Sequence, residues 1–165
     1  MTLFIGNLIA LLGSFVMVYS GTIKDKKGTI FVQSIQIALL AISNIVLGGI
    51  AGFIINSINL IRNIISYKNL LNIKMKVIIS IISIILTLIF NKEGLIGYLP
   101  LISTLIFTWF MTIKDIIKFK YALAISVFLW LIYDFSIRSY TASLFDAITV
   151  VVTLLSIIKI KNKRR

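Results

Sequence analysis

The chain reads as an all-α integral membrane protein of seven transmembrane helices, and three observations predict it. Of its 165 residues 59% are hydrophobic, and the mean hydropathy is +1.08, well above ordinary soluble usage. Apolar runs long enough to cross a bilayer alternate with short charged or glycine-bearing turns. The sequence also repeats at an offset of 90 residues, where Thr22-Ile23-Lys24-Asp25 returns as Thr112-Ile113-Lys114-Asp115. At that offset Asn44 pairs with Asp134, Asn56 with Asp146, Asn59 with Thr149, Asn63 with Thr153 and Ser66 with Ser156. The expected plan is therefore two parallel three-helix repeats joined by a linker helix, within one membrane domain.

The spans follow in order. The first covers 3–20, and 21–28 is a charged turn. From 29 to 67 the chain is apolar for 39 residues, a length of roughly 58 Å as one helix and about twice the hydrocarbon thickness. Gly48-Gly49 supplies the break into the second and third spans. The first repeat thus covers 1–67. The linker helix covers 75–90, with Ser80, Ser83 and Thr87 forming a small-residue stripe suited to close helix packing. Asn91-Lys92-Glu93-Gly94 then turns the chain. The second repeat, 95–160, holds spans at 95–113, 121–137 and 141–160, with Arg138-Ser139-Tyr140 between the last two. Residues 161–165 form a basic tail.

Lysine and arginine set the orientation. With alternate loops on opposite sides, one side holds Lys24, Lys26, Lys27, Arg62, Lys68, Lys74, Lys76, Lys114, Lys118, Lys120 and the C-terminal five, fifteen in all, against only Lys92 and Arg138. The richer side is cytoplasmic by the positive-inside rule, with the N-terminus out and the C-terminus in. Tyr19, Tyr67, Tyr98, Tyr121 and Tyr140 fall near span ends, where interfacial aromatics belong.

Composition excludes several function classes. Without Cys there is no disulfide or thiolate chemistry. Without His the usual proton shuttle and the commonest metal ligand are gone. No cofactor and no metal ion are expected, and no enzymatic constellation is visible; two acids meeting in space across a cavity would be its sign. The net charge of +12 is spread in clusters between apolar runs, as topology requires, so nucleic acid is not an expected partner. The basic tail suits anionic lipid headgroups. The first apolar segment lacks a basic leader and a small-residue cleavage site before Tyr19, and reads as a retained helix rather than a signal peptide.

The chemistry lies in polar residues within apolar spans, where polar groups are costly and usually have a task. At about 100° per residue, Asn56, Asn59, Asn63 and Ser66 share one arc of the third span, and Asp146, Thr149, Thr153 and Ser156 the same arc of the seventh. Both stripes should face inward. The second span carries Gln33, Gln36, Ser43 and Asn44 on one arc, amides that suit a neutral, hydroxyl- or amide-bearing ligand. Trp130 and Tyr133, with Ser126 on their face, form a candidate ring platform. For Asp134 the plain expectation is a local pair with Arg138, one turn on. Asp146 has no neighbour in sequence, and its counterpart Asn56 cannot titrate, which favours facilitated diffusion over proton coupling. Arg62, about five residues from its span's end, is expected to snorkel to the cytoplasmic surface. The plain alternative for every stripe is helix-to-helix packing.

The pattern Gly52 … Asn56 … Arg62-Asn63, followed by Pro100 and by Trp130-Leu131-Ile132-Tyr133-Asp134, resembles the YgjV-type bacterial inner-membrane proteins. That resemblance covers most of the chain and implies a multi-pass place in the bacterial cytoplasmic membrane. The three-plus-one-plus-three plan is also similar in architecture to the SWEET sugar transporters and the PnuC vitamin transporters. By that analogy Pro100 is a hinge in the fifth span, although Ala10 holds the matching place in the first. The combined expectation is a facilitator of a small polar solute, such as a nucleoside, vitamin precursor or sugar. The site residues would be Gln36, Asn44, Asn56, Asn59, Trp130, Asp134 and Asp146. A monomer or a symmetric homo-oligomer fits the plan. The rival is a non-transporting scaffold or assembly factor whose stripes only pack helices.

Overall fold

The computed structural model describes residues 1–20, 26–113 and 115–163. Thr22-Ile23-Lys24-Asp25, Lys114, Arg164 and Arg165 therefore lie outside the described residues. The described elements are α1 (Thr2–Ser20), α2 (Lys26–Leu47), α3 (Ile50–Tyr67), α4 (Ile73–Phe90), a 3₁₀ turn (Ile96–Tyr98), α5 (Leu99–Phe110), α6 (Ile116–Ser136) and α7 (Tyr140–Lys163). Among them five carry stretches long and apolar enough to cross a membrane: Ile30–Leu47, Ile50–Tyr67, Ile73–Phe90, Ile117–Ser136 and Tyr140–Asn162. The first and fifth segments hold shorter apolar helices, Thr2–Met17 and Ile96–Phe110.

Local chemistry explains where these helices begin and end. α6 starts five residues before the expected 121 because the Asp115 carboxylate accepts from the Ile117 and Lys118 amides, at 2.8 and 3.3 Å, an N-cap that satisfies two orphan donors. Asn72 does the same for α4 through the Met75 amide at 3.0 Å. Lys26, Lys27 and Gly28 belong to α2 rather than to a turn, and α7 continues to Lys163, into the expected tail. The fifth segment is not one helix. It opens as a 3₁₀ turn and becomes α-helical at Leu99, with Pro100 in the first turn of α5, where a missing amide hydrogen costs nothing.

The two tight turns are alike in detail. Gly48 and Arg138, 90 positions apart, both adopt left-handed backbone, with φ of 83° and 62°. Gly49 donates to the Asn44 carbonyl and Ser139 to the Asp134 carbonyl, each at 2.8 Å. Glycine takes this conformation freely, whereas an arginine there costs about 1 kcal/mol or more. α7 begins 90 residues after α3.

Packing closes a ring. α1 lies on α2, α2 on α3, α3 on α5, α5 on α6, α6 on α7, and α7 returns to α1. α4 stands beside the ring against α3 and α5. Its Ser83 and Thr87 are fully buried, and Ser80 accepts from the Trp109 indole at 3.2 Å. The first turns of α3 and α7 each donate to a side chain from elsewhere in the chain. Glu93 accepts from the Ala51 amide at 3.0 Å. Asn7 accepts from the Thr141 amide at 3.1 Å and donates to the Arg138 carbonyl at 2.9 Å. These contacts gather the start of α1 and the α2–α3, α4–α5 and α6–α7 connections at one end of the bundle. Lys76 with Thr112, and Lys161 with Tyr121, mark the other end.

The ring is apolar outside and polar inside. On α3, Ile61 and Ile64 are exposed while Asn56, Asn59, Arg62, Asn63 and Ser66 are buried. This is the pattern that hydrocarbon surroundings select. Tyr133 is wholly buried, and its hydroxyl oxygen accepts from the Gly52 amide at 2.8 Å. A Cβ on Gly52 would collide with the Asn44 amide and the Tyr133 ring. Gly52→Ala is therefore expected to destabilise the protein by about 1–3 kcal/mol through overpacking, read as a lowered unfolding temperature in detergent.

Candidate functional site

A cavity of about 310 Å³ sits inside the helix ring, at the lower end of the roughly 300–1,000 Å³ usual for ligand sites. All seven residues expected from the sequence, Gln36, Asn44, Asn56, Asn59, Trp130, Asp134 and Asp146, line its wall. So do Gln33, Asn63, Ser126 and Thr149 from the same stripes. Pro100 is buried in the first turn of α5 and is not among the lining residues.

The wall is graded along the helix axes. Asn44 lies on the last turn of α2 and Asn56 on the second turn of α3, so the short Gly48-Gly49 turn sets both toward one end. Asp134 and Asp146 hold the corresponding places on α6 and α7. Gln36, Asn59 and Trp130 lie further in, and Gln33, Arg62, Asn63 and Phe107 further still. The Thr104 hydroxyl donates to the Asn59 carbonyl oxygen at 3.2 Å, tying α5 to α3. Ser103 and Ser126 each donate to the other's backbone carbonyl, at 2.9 and 3.1 Å, tying α5 to α6.

The structure corrects three expectations. Asp134 does not pair with Arg138. It is 4% exposed and its carboxyl lies beside that of Asp146. The cause is the turn: the left-handed Arg138 backbone reverses the chain, and the α6–α7 hairpin brings together two acids that are twelve residues apart in sequence.

Arg62 does not snorkel. It is 4% exposed and lines the cavity. Its guanidinium donates to Thr108 Oγ1 and Asn63 Oδ1, each at 3.3 Å, and lies 5.2 Å from the centre of the Phe107 ring. Its place on the arc of Asn59 and Asn63 turns it inward, and the ring wall separates it from lipid and interface alike.

Tyr133 is no platform. Its ring stands edge-on to Trp130 at 5.7 Å with an interplanar angle of 87° and is sealed in the α3–α6 contact, leaving Trp130 alone on the cavity wall. Ser43 likewise serves packing, donating to the Gly6 carbonyl at 2.8 Å.

Four buried polar atoms on the cavity-lining residues have no hydrogen-bond partner: Asn44 Nδ2, Asn56 Nδ2, Arg62 Nε and Asp134 Oδ1. Buried polar groups are normally satisfied; these four belong to residues of the cavity wall but are themselves packed against neighbouring helices, Asn44 Nδ2 against Gly52. The sequence reading passed over the α5 contribution of Ser103, Thr104, Phe107 and Thr108. The signal was present, since Thr104 and Thr108 lie one helical turn apart in an otherwise apolar run.

Fold and site together define a multi-pass helical membrane protein with a cavity, lined by polar and apolar side chains, between its helices. The chain belongs to the Imp-YgjV family of bacterial inner membrane proteins, whose family model matches residues 4–164. Comparisons with curated proteins and with solved structures give no match. The protein is a multi-pass protein of the bacterial inner membrane.

The carboxyl pair generates a stability prediction. Asp134→Leu leaves the Asp146 carboxyl without its polar neighbour and is expected to cost about 1–3 kcal/mol. Asp134→Asn, which installs the residue found at the corresponding position 44, keeps a polar group beside Asp146 and should unfold within a few degrees of the parent in a thermal scan.

Proposed function

We propose that the protein is a passive transporter that carries a small polar solute through the cavity between two like halves. In this reading spans one to three and five to seven are parallel triplets, α4 is the linker, the N-terminus faces out and the C-terminus faces the cytoplasm. Fifteen of the seventeen lysines and arginines fall on the cytoplasmic side in this topology, which supports that orientation. The identical hydrogen bonds at the two tight turns support the duplication. Rocking of one triplet against the other would expose the cavity alternately to each side. The junction of the 3₁₀ turn with α5 at Pro100 is the place suited to bend.

The single observation that carries this reading is the convergence of polar side chains from five helices on one cavity, among them Gln36, Asn56, Ser103, Asp134, Asp146 and Thr149. Packing glue of the kind formed by Ser103 with Ser126 satisfies both partners, and a scaffold has no need of a cavity between such groups. The Asp134–Asp146 contact is the observation that favours an acid–base enzyme instead. Against it, each acid has an amide at the corresponding place in the other half. A solute-binding wall can use that correspondence, whereas a catalytic dyad has no need of it. No enzymatic activity is proposed, and no cofactor.

Reconstituted protein is expected to let nucleosides, sugars or vitamin-like amides enter liposomes down their gradients, with Asn56→Leu lowering the rate at least about tenfold by removing one polar partner and filling the path. Radiolabelled uptake across a panel of such solutes checks this. Liposomes no leakier than protein-free controls for every solute would sink the transport reading.

A further inference from the structure

The cavity is charged differently at its two ends, and the difference names the kind of solute. Arg62 is an arginine inside a membrane-embedded ring, bonded only to the neutral side chains of Thr108 and Asn63. Its Nε is buried without a partner. Among the described residues no carboxylate pairs with it. A buried guanidinium lacking a counter-ion is costly, and such a group inside a membrane protein marks a ligand or ion path. Its planar array of donors matches the oxygens of carboxylate or phosphate.

The opposite end carries acceptors. Asp134 Oδ1 is buried and unpartnered beside Asp146, an arrangement that takes hydroxyl donors. Asn56 and Arg62 are six positions apart on one helix, about 9 Å along its axis, and Asp146 holds on α7 the place that Asn56 holds on α3. Trp130 lines the wall between, a flat surface for the apolar face of a sugar ring.

We propose that the solute is a hydroxylated acid of sugar size, whose carboxylate or phosphate docks on Arg62 and whose hydroxyls bond the Asp134–Asp146 pair. This rests on the transport reading and narrows it, because amides alone favour a neutral ligand and the buried arginine does not. An anionic lipid headgroup offers the same oxygens, so the test separates the two sources.

The purified chain is placed in phosphatidylcholine nanodiscs, and its unfolding temperature is followed against glucose, gluconate and glucose 6-phosphate, a matched neutral, carboxylate and phosphate series. At least one of the two acids is expected to stabilise the protein at a concentration about tenfold or more below that needed for glucose. Arg62→Gln should abolish the difference and Arg62→Lys should keep part of it. Glucose acting as well as both acids, no shift with either acid, or an unchanged preference in Arg62→Gln overturns the proposal. So does stabilisation by phosphatidylglycerol in the disc but by neither acid, which makes the occupant a lipid. If Arg62→Gln does not fold, the three-solute comparison on the parent protein decides alone. Uptake of neutral solutes into liposomes without acid preference ends this inference and leaves transport standing. Acid-selective binding without uptake of any solute keeps the Arg62 site and ends the transport reading.

Discussion

A polar side chain on a helix surrounded by hydrocarbon has one favourable direction, inward, and the architecture follows from that constraint. The amides of α2 and α3, the acids of α6 and α7 and the hydroxyls of α5 cannot face lipid without a free-energy cost. A bundle of two or three helices has no interior large enough to take them all. Six helices closed in a ring supply one, and the apolar faces left outside, such as Ile61, Ile64, Val151 and Leu155, are what the bilayer solvates. The inside-out distribution is therefore the fold's organising feature, and the small apolar cluster of Ile55, Ile58, Ile79 and Leu101 is secondary to it.

The α2–α3 and α6–α7 turns share a backbone and differ in chemistry. At the tight turns the same hydrogen bonds recur with the same lengths, even though glycine holds the left-handed position in one and arginine in the other. On the cavity wall α2 and α3 carry the amides of Asn44 and Asn56, and α6 and α7 the acids Asp134 and Asp146. Where α3 meets α5 the seam is polar, through Asn59 with Thr104 and Arg62 with Thr108. Where α7 meets α1 it includes an aromatic contact, Phe15 with Phe145 at 6.3 Å.

Much of this was legible in the sequence because period and offset are properties of spacing alone. The polar arcs of the second, third and seventh spans and the break at Gly48-Gly49 follow from spacing, and all seven chosen site residues meet at one cavity. What was missed depends on what faces a residue across space. Arg62 looks like a snorkelling arginine when only its own helix is considered, and α5 supplies the Thr108 hydroxyl and Phe107 ring that hold it inside. Asp134 has a tempting partner one turn on, and only the sharp reversal at Arg138 delivers Asp146 instead. The early start of α6 hung on a single cap, Asp115, whose side chain competes for backbone amides that an apolar pattern does not report.

The central claim is that the polar stripes face a water-accessible cavity and the opposite faces contact lipid. The chain has no native cysteine, so single cysteines can be introduced at Asn59 and Thr149 on the cavity wall and at Ile61 and Val152 on the outer face. Each variant in membranes is then treated with a water-soluble charged thiol reagent. The account predicts modification at positions 59 and 149 and protection at 61 and 152. Modification at 61 and 152 with protection at 59 and 149 would contradict it.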